Sequence, residues 1–190
     1  MSTPKSAPKA VLVIPVLTSV WQTVWPTLRP RLEAHFGPVH DFGDALFFTH
    51  TTYYNTELGT PLYRRLLYAD RFYPQDRLAE AKLVTNALED AFRDAEGNRR
   101  INLDPGLLSL ERLVLATGKG FTHRIYLKEG IWADLTLMYQ KGGWRAFDWT
   151  FADYADAPLQ AWLTRLRDEY KQARKQTSQT GVESFSGLKT

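Results

Sequence analysis

Residues 99–139, RRINLDPGLLSLERLVLATGKGFTHRIYLKEGIWADLTLMY, decide the fold class. Residues 99–103 predict a strand, and Asp104-Pro105-Gly106 after it is a turn signal. Ser109 or a neighbour is expected to begin a short helix with Leu110, Leu113, Val114 and Thr117 on its inner side, closed by Gly118. Residues 121–127 and 131–139 then read as a hairpin around Lys128-Glu129-Gly130. A second turn at Lys141-Gly142-Gly143 leads to a strand through Trp144, Ala146 and Phe147, giving an antiparallel meander.

Upstream, the apolar run 10–17 (AVLVIPVL) predicts a strand buried on both faces. Ser19 is placed to cap a helix in which Val20, Val24, Leu28, Leu32 and Phe36 recur every fourth residue, and Gly37 to end it. Pro26 and Pro30 lie inside this repeat, so a kink or a fresh start near Pro26 is expected. Residues 39–52, with Phe42, Leu46, Phe47 and Phe48, predict a second strand. The aromatic stretch that follows (Tyr53, Tyr54, Tyr63, Tyr68, Phe72, Tyr73) suits packing better than a base-stacking platform.

Asp76 suits the cap of a long helix burying Leu78, Ala81, Thr85, Leu88 and Phe92, with Lys82, Asn86, Glu89 and Arg93 on a solvated face. Asp156 and Pro158 open a last helix with the stripe Leu159, Trp162, Leu163, Leu166 and Tyr170. The order is strand, helix, strand, two helices, strand, helix, meander and terminal helix. It predicts one α+β domain: a mixed, mostly antiparallel sheet with helices packed on it, a ferredoxin-like arrangement being one topology open to it.

A length of 190 residues suits one domain, and 44% hydrophobic residues supply a core. The sequence has no cysteine, which rules out disulfides, thiolate metal sites and a cysteine nucleophile. With no signal-like h-region and no apolar run of spanning length, a cytoplasmic, soluble bacterial protein without membrane attachment is expected. The pI near 9.1 reflects the ends. Residues 1–9 and 171–190 hold six Lys or Arg against one acid, leaving 18 basic and 20 acidic residues in the body. Disordered tails at 1–9 and 177–190 around a domain at 10–176 follow from composition, and the balance argues against nucleic-acid binding by the folded body.

Several dispersed motifs carry a resemblance: Tyr53-Tyr54 with Glu57 and Gly59, Pro61-Leu62-Tyr63-Arg64-Arg65, Lys82 with Thr85 and Asn86, 102–106 (NLDPG), Lys119, 123–127 (HRIYL), and Trp149-Thr150 with Asp153-Tyr154. Through these the chain, from 11 to 170, resembles a bacterial family known as domain of unknown function 4416. The resemblance implies no established activity, although some members carry the label of GTP-binding protein. A P-loop needs G-x-x-x-x-G-K-[ST], and here Gly118-Lys119 is followed by Gly120 while Leu113 holds the first glycine position. Conventional GTPase chemistry is therefore not expected. None of His35, His40, His50 and His123 has a neighbour at zinc spacing. His50-Thr51-Thr52 fits the H-x-T element of two-histidine phosphoesterases, but the second copy, His123-Arg124-Ile125, lacks the hydroxyl.

No motif names a reaction or a cofactor. The candidate ligand-binding residues are Asn102, Asp104, Lys119, His123 and Arg124, with Tyr54 and Lys82, expected to line one anion-binding pocket. Arg124 offers a planar fork, Lys119 a mobile charge and His123 a proton carrier near neutrality. On a regular strand His123 and Arg124 project to opposite faces, so one is expected to pack while the other reaches the ligand. Asp104 is expected to hold His123 or a metal ion, or to pair with Arg124. The leading function is binding, or enzymatic turnover, of a small phosphate- or carboxylate-bearing metabolite or nucleotide. An RNA-associated factor using the basic tails and a structural partner in an assembly are the alternatives.

Overall fold

The computed structural model describes residues 2–180, with side chains through 176. Its first half contains β1 (Ala10–Thr18), α1 (Trp21–Phe36), β2 (Val39–Asp41), β3 (Leu46–Phe47), α2 (Asn55–Leu58), β4 (Tyr63–Tyr73) and α3 (Leu78–Ala91). The second half contains β5 (Asn102–Leu103), β6 (Gly106–Leu108), β7 (Arg112–Thr117), β8 (Ile125–Lys128), β9 (Ile131–Gln140), β10 (Gly143–Ala146), α4 (Ala152–Ala155) and α5 (Ala157–Thr180). Together they make one α+β domain.

The ten strands of the described residues join one open, wholly antiparallel sheet, ordered β10-β9-β7-β6-β1-β4-β2, with β5 beside β1, β3 beside β4 and β8 beside β9. Within it, β6-β1-β4-β2, with α1 and α3 packed on one face, is the ferredoxin-like order that the sequence left open, extended at one edge by β7, β9 and β10. Central β1 is buried at every residue because both its faces are covered. Leu12, Ile14 and Val16 meet Val24, Leu28 and Leu32 of α1 and Ala81 and Leu88 of α3. Val11 and Val13 join Leu66, Leu113 and Leu137 under Leu159, Leu163, Leu166 and Tyr170 of α5, the stripe expected of the last helix.

Helix α1 runs unbroken through both prolines. Pro26 and Pro30 are one turn apart on the exposed face, where water can satisfy the carbonyls their missing N–H groups leave free. Ser19 does not cap it; its hydroxyl donates to the Leu58 carbonyl, while the Thr18 hydroxyl accepts the Val20 N–H. The expected strand at 39–52 is two short ones, β2 and β3.

Three expectations fail. The aromatic stretch holds β4, the longest strand, which reads poorly because Arg64, Arg65, Asp70 and Arg71 interrupt its apolar alternation. The helix expected from Ser109 is the β6–β7 hairpin: Leu113 to Ala116 is a strand near-continuously apolar because the sheet is covered on both sides, so its three- and four-residue spacings arise without a helix. Asp104-Pro105-Gly106 does not turn the chain. Residues 102–108 continue along β1, with the Asp104 N–H bonding the Pro15 carbonyl and the Pro105 carbonyl accepting from Ala116. A Cβ on Gly106 would lie 2.7 Å from Leu115 Cδ2 and 2.9 Å from the Val114 carbonyl oxygen, so glycine serves close strand approach.

The β8–β9 hairpin forms as expected, with Glu129 and Gly130 at φ of 52° and 75°, the signs of a type I′ turn. Strand β8 begins only at Ile125. Residues 2–9 carry no helix or strand, though the Pro8 and Lys9 carbonyls accept from Gln75 and Tyr170. Helix α5 enters the expected tail as far as Thr180, and 181–190 lie outside the described residues.

Candidate functional site

Alternation along β4 places Arg64 with Leu66 and Tyr68 on the α5 side of the sheet, only 4% exposed. Its Nε and Nη2 lie 3.0 and 2.8 Å from Asp153 Oδ2, on α4, and its Nη1 lies 3.2 Å from Asp104 Oδ2. The guanidinium carbon sits 5.5 Å from the Phe48 ring centre and 5.6 Å from that of Tyr154. Burial alone works to lower the Arg64 pKa, but Tyr154, Asp153 and Asp104 outweigh it and raise it.

A second set of charges comes from the α3 side. Lys82 Nζ donates to the Leu103 carbonyl at 2.7 Å, and Glu89 accepts the Leu103 N–H at 2.7 Å. Arg99 binds Glu57 through two bonds of 2.6 and 2.7 Å, then reaches Glu89 at 2.8 Å and Asn102 Oδ1 at 3.1 Å. Lys82 and Glu89 are therefore buried, correcting the solvated face expected for them: β5 is only two residues long, and the helix uses these side chains to hold its backbone. Burial pushes the Glu89 carboxyl up, opposed by Lys82, whereas the Arg99 hydrogen bonds pull Glu57 down.

Asp104 joins the two sets. Its Oδ2 accepts from Asn102 Nδ2 at 2.7 Å as well as from Arg64, and its Oδ1 lies 4.0 Å from Lys82 Nζ. Asp104 lies between β5 and β6, beside Pro105, with 27% of its side chain exposed against 5% and 8% for Arg64 and Asp153. The joined network sets Arg64, Lys82 and Arg99 against Asp104, Asp153, Glu57 and Glu89, three cations facing four carboxylates.

One fully buried side-chain atom of this network is unpaired among the described residues. The Tyr154 hydroxyl is buried without a hydrogen-bond partner among the described residues. Burial, above all, raises its pKa far above the usual phenol value, and Arg64, Asp104, Asp153 and Tyr54 are the groups whose charge it feels. Tyr54 is half-buried and feels the same charges, its own pKa raised by burial and then by Asp104.

Of the residues singled out in the sequence, Tyr54, Lys82, Asn102 and Asp104 thus come together. His123 and Arg124 form another cluster around Asp134 of β9, at 3.2 and 2.9 Å from its Oδ2. Both reach the same carboxylate because 121–124 is a turn closed by Arg124 N–H on the Phe121 carbonyl, so strand alternation does not apply to them. Asp104 pairs with Arg64, not with His123 or Arg124 as expected. Lys119 lies between the clusters: its carbonyl accepts from Arg124 at 2.8 Å, and its ammonium sits 5.6 Å from the ring centre of Tyr53, which in turn packs edge-on against Tyr54. Among the described residues no carboxylate pairs with Lys119. Trp149 is no stacking platform, since His123 and Phe147 already lie parallel to it at 4.8 Å.

Sequence reasoning missed Arg64, Asp153, Tyr154, Glu57, Glu89 and Arg99 as site residues. Arg64 and Asp153-Tyr154 stood in view as charges within apolar, aromatic runs. A groove of about 570 Å³ lies at the far end of β4, lined by Glu33, His35, Arg71, Tyr73 and Arg77 among others. Glu33 and Arg77 are already paired there, with Arg29 and Glu80, and no orphaned buried side-chain atom among the described residues belongs to its lining. The unpaired Tyr154 hydroxyl lies at the Asp104 end and not in this groove.

Among the described residues no three His, Cys, Asp or Glu side chains are placed to hold a metal ion, and no helix is long and apolar enough to cross a membrane. Residues 8–170 match the family model described as a domain of unknown function (DUF4416). No curated protein and no solved structure matches the chain.

Proposed function

The chain belongs to the DUF4416 family, a membership that brings no chemistry with it, and we propose that it binds a small phosphate- or carboxylate-bearing metabolite at the Asp104 end of the sheet. The orphaned Tyr154 hydroxyl carries this reading. Leaving such a group unpaired in the interior costs about 1–3 kcal/mol, and a cost left standing among ion pairs that satisfy nearly every neighbour points to a partner supplied from outside.

The anionic group is assigned to Lys119. It is exposed, lacks a carboxylate partner among the described residues, and stands two ring contacts from Tyr54 and the Asp104 network. Arg124 and His123 act as positioning residues, fixing the 119–124 turn on Asp134. Tyr54, Asn102 and Asp104 line the inner part, and Lys82 backs Asp104. No reaction is assigned.

A thermal-shift screen of phosphorylated and carboxylated metabolites tests this. A true ligand at a hundredfold over its Kd stabilises the fold by about 2.7 kcal/mol, a rise of roughly 5–10 °C for a domain of this size. The rise should shrink in both Lys119→Ala and Tyr154→Phe. A screen without a rise, or a rise untouched by both substitutions, overturns the proposal.

A further inference from the structure

We propose, resting on the reading above, that the ligand is a phosphorylated polyol, its phosphate on Lys119 and its hydroxyls on Asp104, Tyr154 and Tyr54. The inner site contrasts with the rim in charge. Three cations there already face four carboxylates, so an anionic oxygen brought among them meets an excess of negative charge in a poorly solvated place. An ammonium fares no better: Arg64 and Lys82 already flank the two oxygens of Asp104.

A neutral hydroxyl fits the hydrogen-bond inventory. Asp104 Oδ1 is an acceptor with Lys82 Nζ at 4.0 Å, beyond hydrogen-bond reach. Partly exposed, that oxygen is open to a donor from a ligand. Among the described residues the Tyr154 O–H neither donates nor accepts, and the Tyr54 hydroxyl makes no hydrogen bond. An alcohol donates to Asp104 and accepts from a tyrosine with the same oxygen, and adjacent alcohols serve both tyrosines. The Tyr154 hydroxyl is closed to solvent, so occupancy requires a side chain to give way. Tyr54, half-buried and held by ring contacts with Phe48 and Tyr53, is the one placed to do so.

Calorimetric titration with ribose 5-phosphate, glycerol 3-phosphate, phosphoenolpyruvate, phosphoethanolamine and inorganic phosphate tests the class. We expect ribose 5-phosphate to bind at least tenfold tighter than the hydroxyl-free phosphoenolpyruvate. Tyr154→Phe should remove at least fivefold of that preference while leaving phosphoenolpyruvate unchanged, and Lys119→Ala should weaken all the phosphates. Asp104→Asn, if folded, should lower the preference further. Equal binding of polyol and hydroxyl-free phosphates, or tightest binding of phosphoethanolamine, overturns the polyol class and leaves the anion site standing. Failure of all five to bind, alongside a blank metabolite screen, overturns both.

Discussion

The Asp134 cluster and the Asp104 network are both built from carboxylates shared between basic side chains, yet they differ in completeness. Asp134, 3% exposed, accepts from Arg124, His123 and Thr136, and Trp149 seals it by stacking on His123 and donating to the Leu135 carbonyl. No buried atom of it is left over. Strands β8 and β10 flank different stretches of β9, residues 131–133 and 137–140, and this cluster with Thr150 covers the edge between them. The Asp104 network also ties elements together, but with an excess carboxylate and an orphaned hydroxyl. A saturated polar cluster has a structural explanation in full; an unsaturated one has something left for a ligand to do.

The sharpest way to break this contrast is to remove the cation at the centre of the network. Arg64→Met leaves buried Asp153 and partly exposed Asp104 without their shared partner, and such truncations cost about 3–5 kcal/mol. Urea unfolding should show a loss of that size. A loss below about 1 kcal/mol would mean that Asp153 and Tyr154 are held by packing alone. Asp134→Asn should be milder, about 1–3 kcal/mol, since a neutral amide still accepts from Arg124. It should leave the preference between polyol and hydroxyl-free phosphates unchanged; a collapse of that preference would show the clusters to be one site.

The two glutamates on Arg99 give a finer test through pH. Glu57 is depressed by its Arg99 hydrogen bonds, so its stabilisation is present above its unfolded pKa and lost as pH falls through the folded one. Glu89 is raised by burial, so its contribution has the opposite sign: stability is lost as pH rises from its unfolded pKa through its folded one. Glu57→Gln should therefore flatten the acid limb of the stability curve between about pH 5 and 3. An unchanged limb would remove Glu57 from the network.

How much of this was legible depended on whether local pattern and burial agreed. The run 10–17, the β8–β9 hairpin and the α5 stripe read correctly because each carries an undisturbed period or turn signal. Strand β4 did not, because Arg64, Arg65 and Arg71 sit inside the period that would have revealed it. The same applies to 109–117, where two covered faces erase alternation. Of the candidate residues, Asn102 and Asp104 were singled out beside a strand's end, with Tyr54 and Lys82 added to them, but Arg64 and Lys82 reach Asp104 from 40 and 22 residues away and from both sides of the sheet. His123 and Arg124 were joined to them only by proximity in sequence, and Asp134, mid-strand on β9, draws them elsewhere.

The smallest expected effect on stability carries the most information. Tyr154→Phe removes one oxygen from a fully buried ring that packs against Arg64 and leaves the ring in place. Had that oxygen been a structural partner, its loss would cost about 1 kcal/mol, the usual worth of a hydrogen bond. Here it has none among the described residues, so the substitution deletes a desolvated, unpaired dipole, and the free protein should melt at the same temperature or slightly higher. A ligand that completes the hydroxyl inverts this: in its presence the wild type should be the more stable of the two. That crossover needs no activity assay and no knowledge of the reaction. A melting temperature lowered by several degrees without ligand would mean that an internal water or neighbouring side chain already completes the hydroxyl, and the network would then be as saturated as the cluster around Asp134.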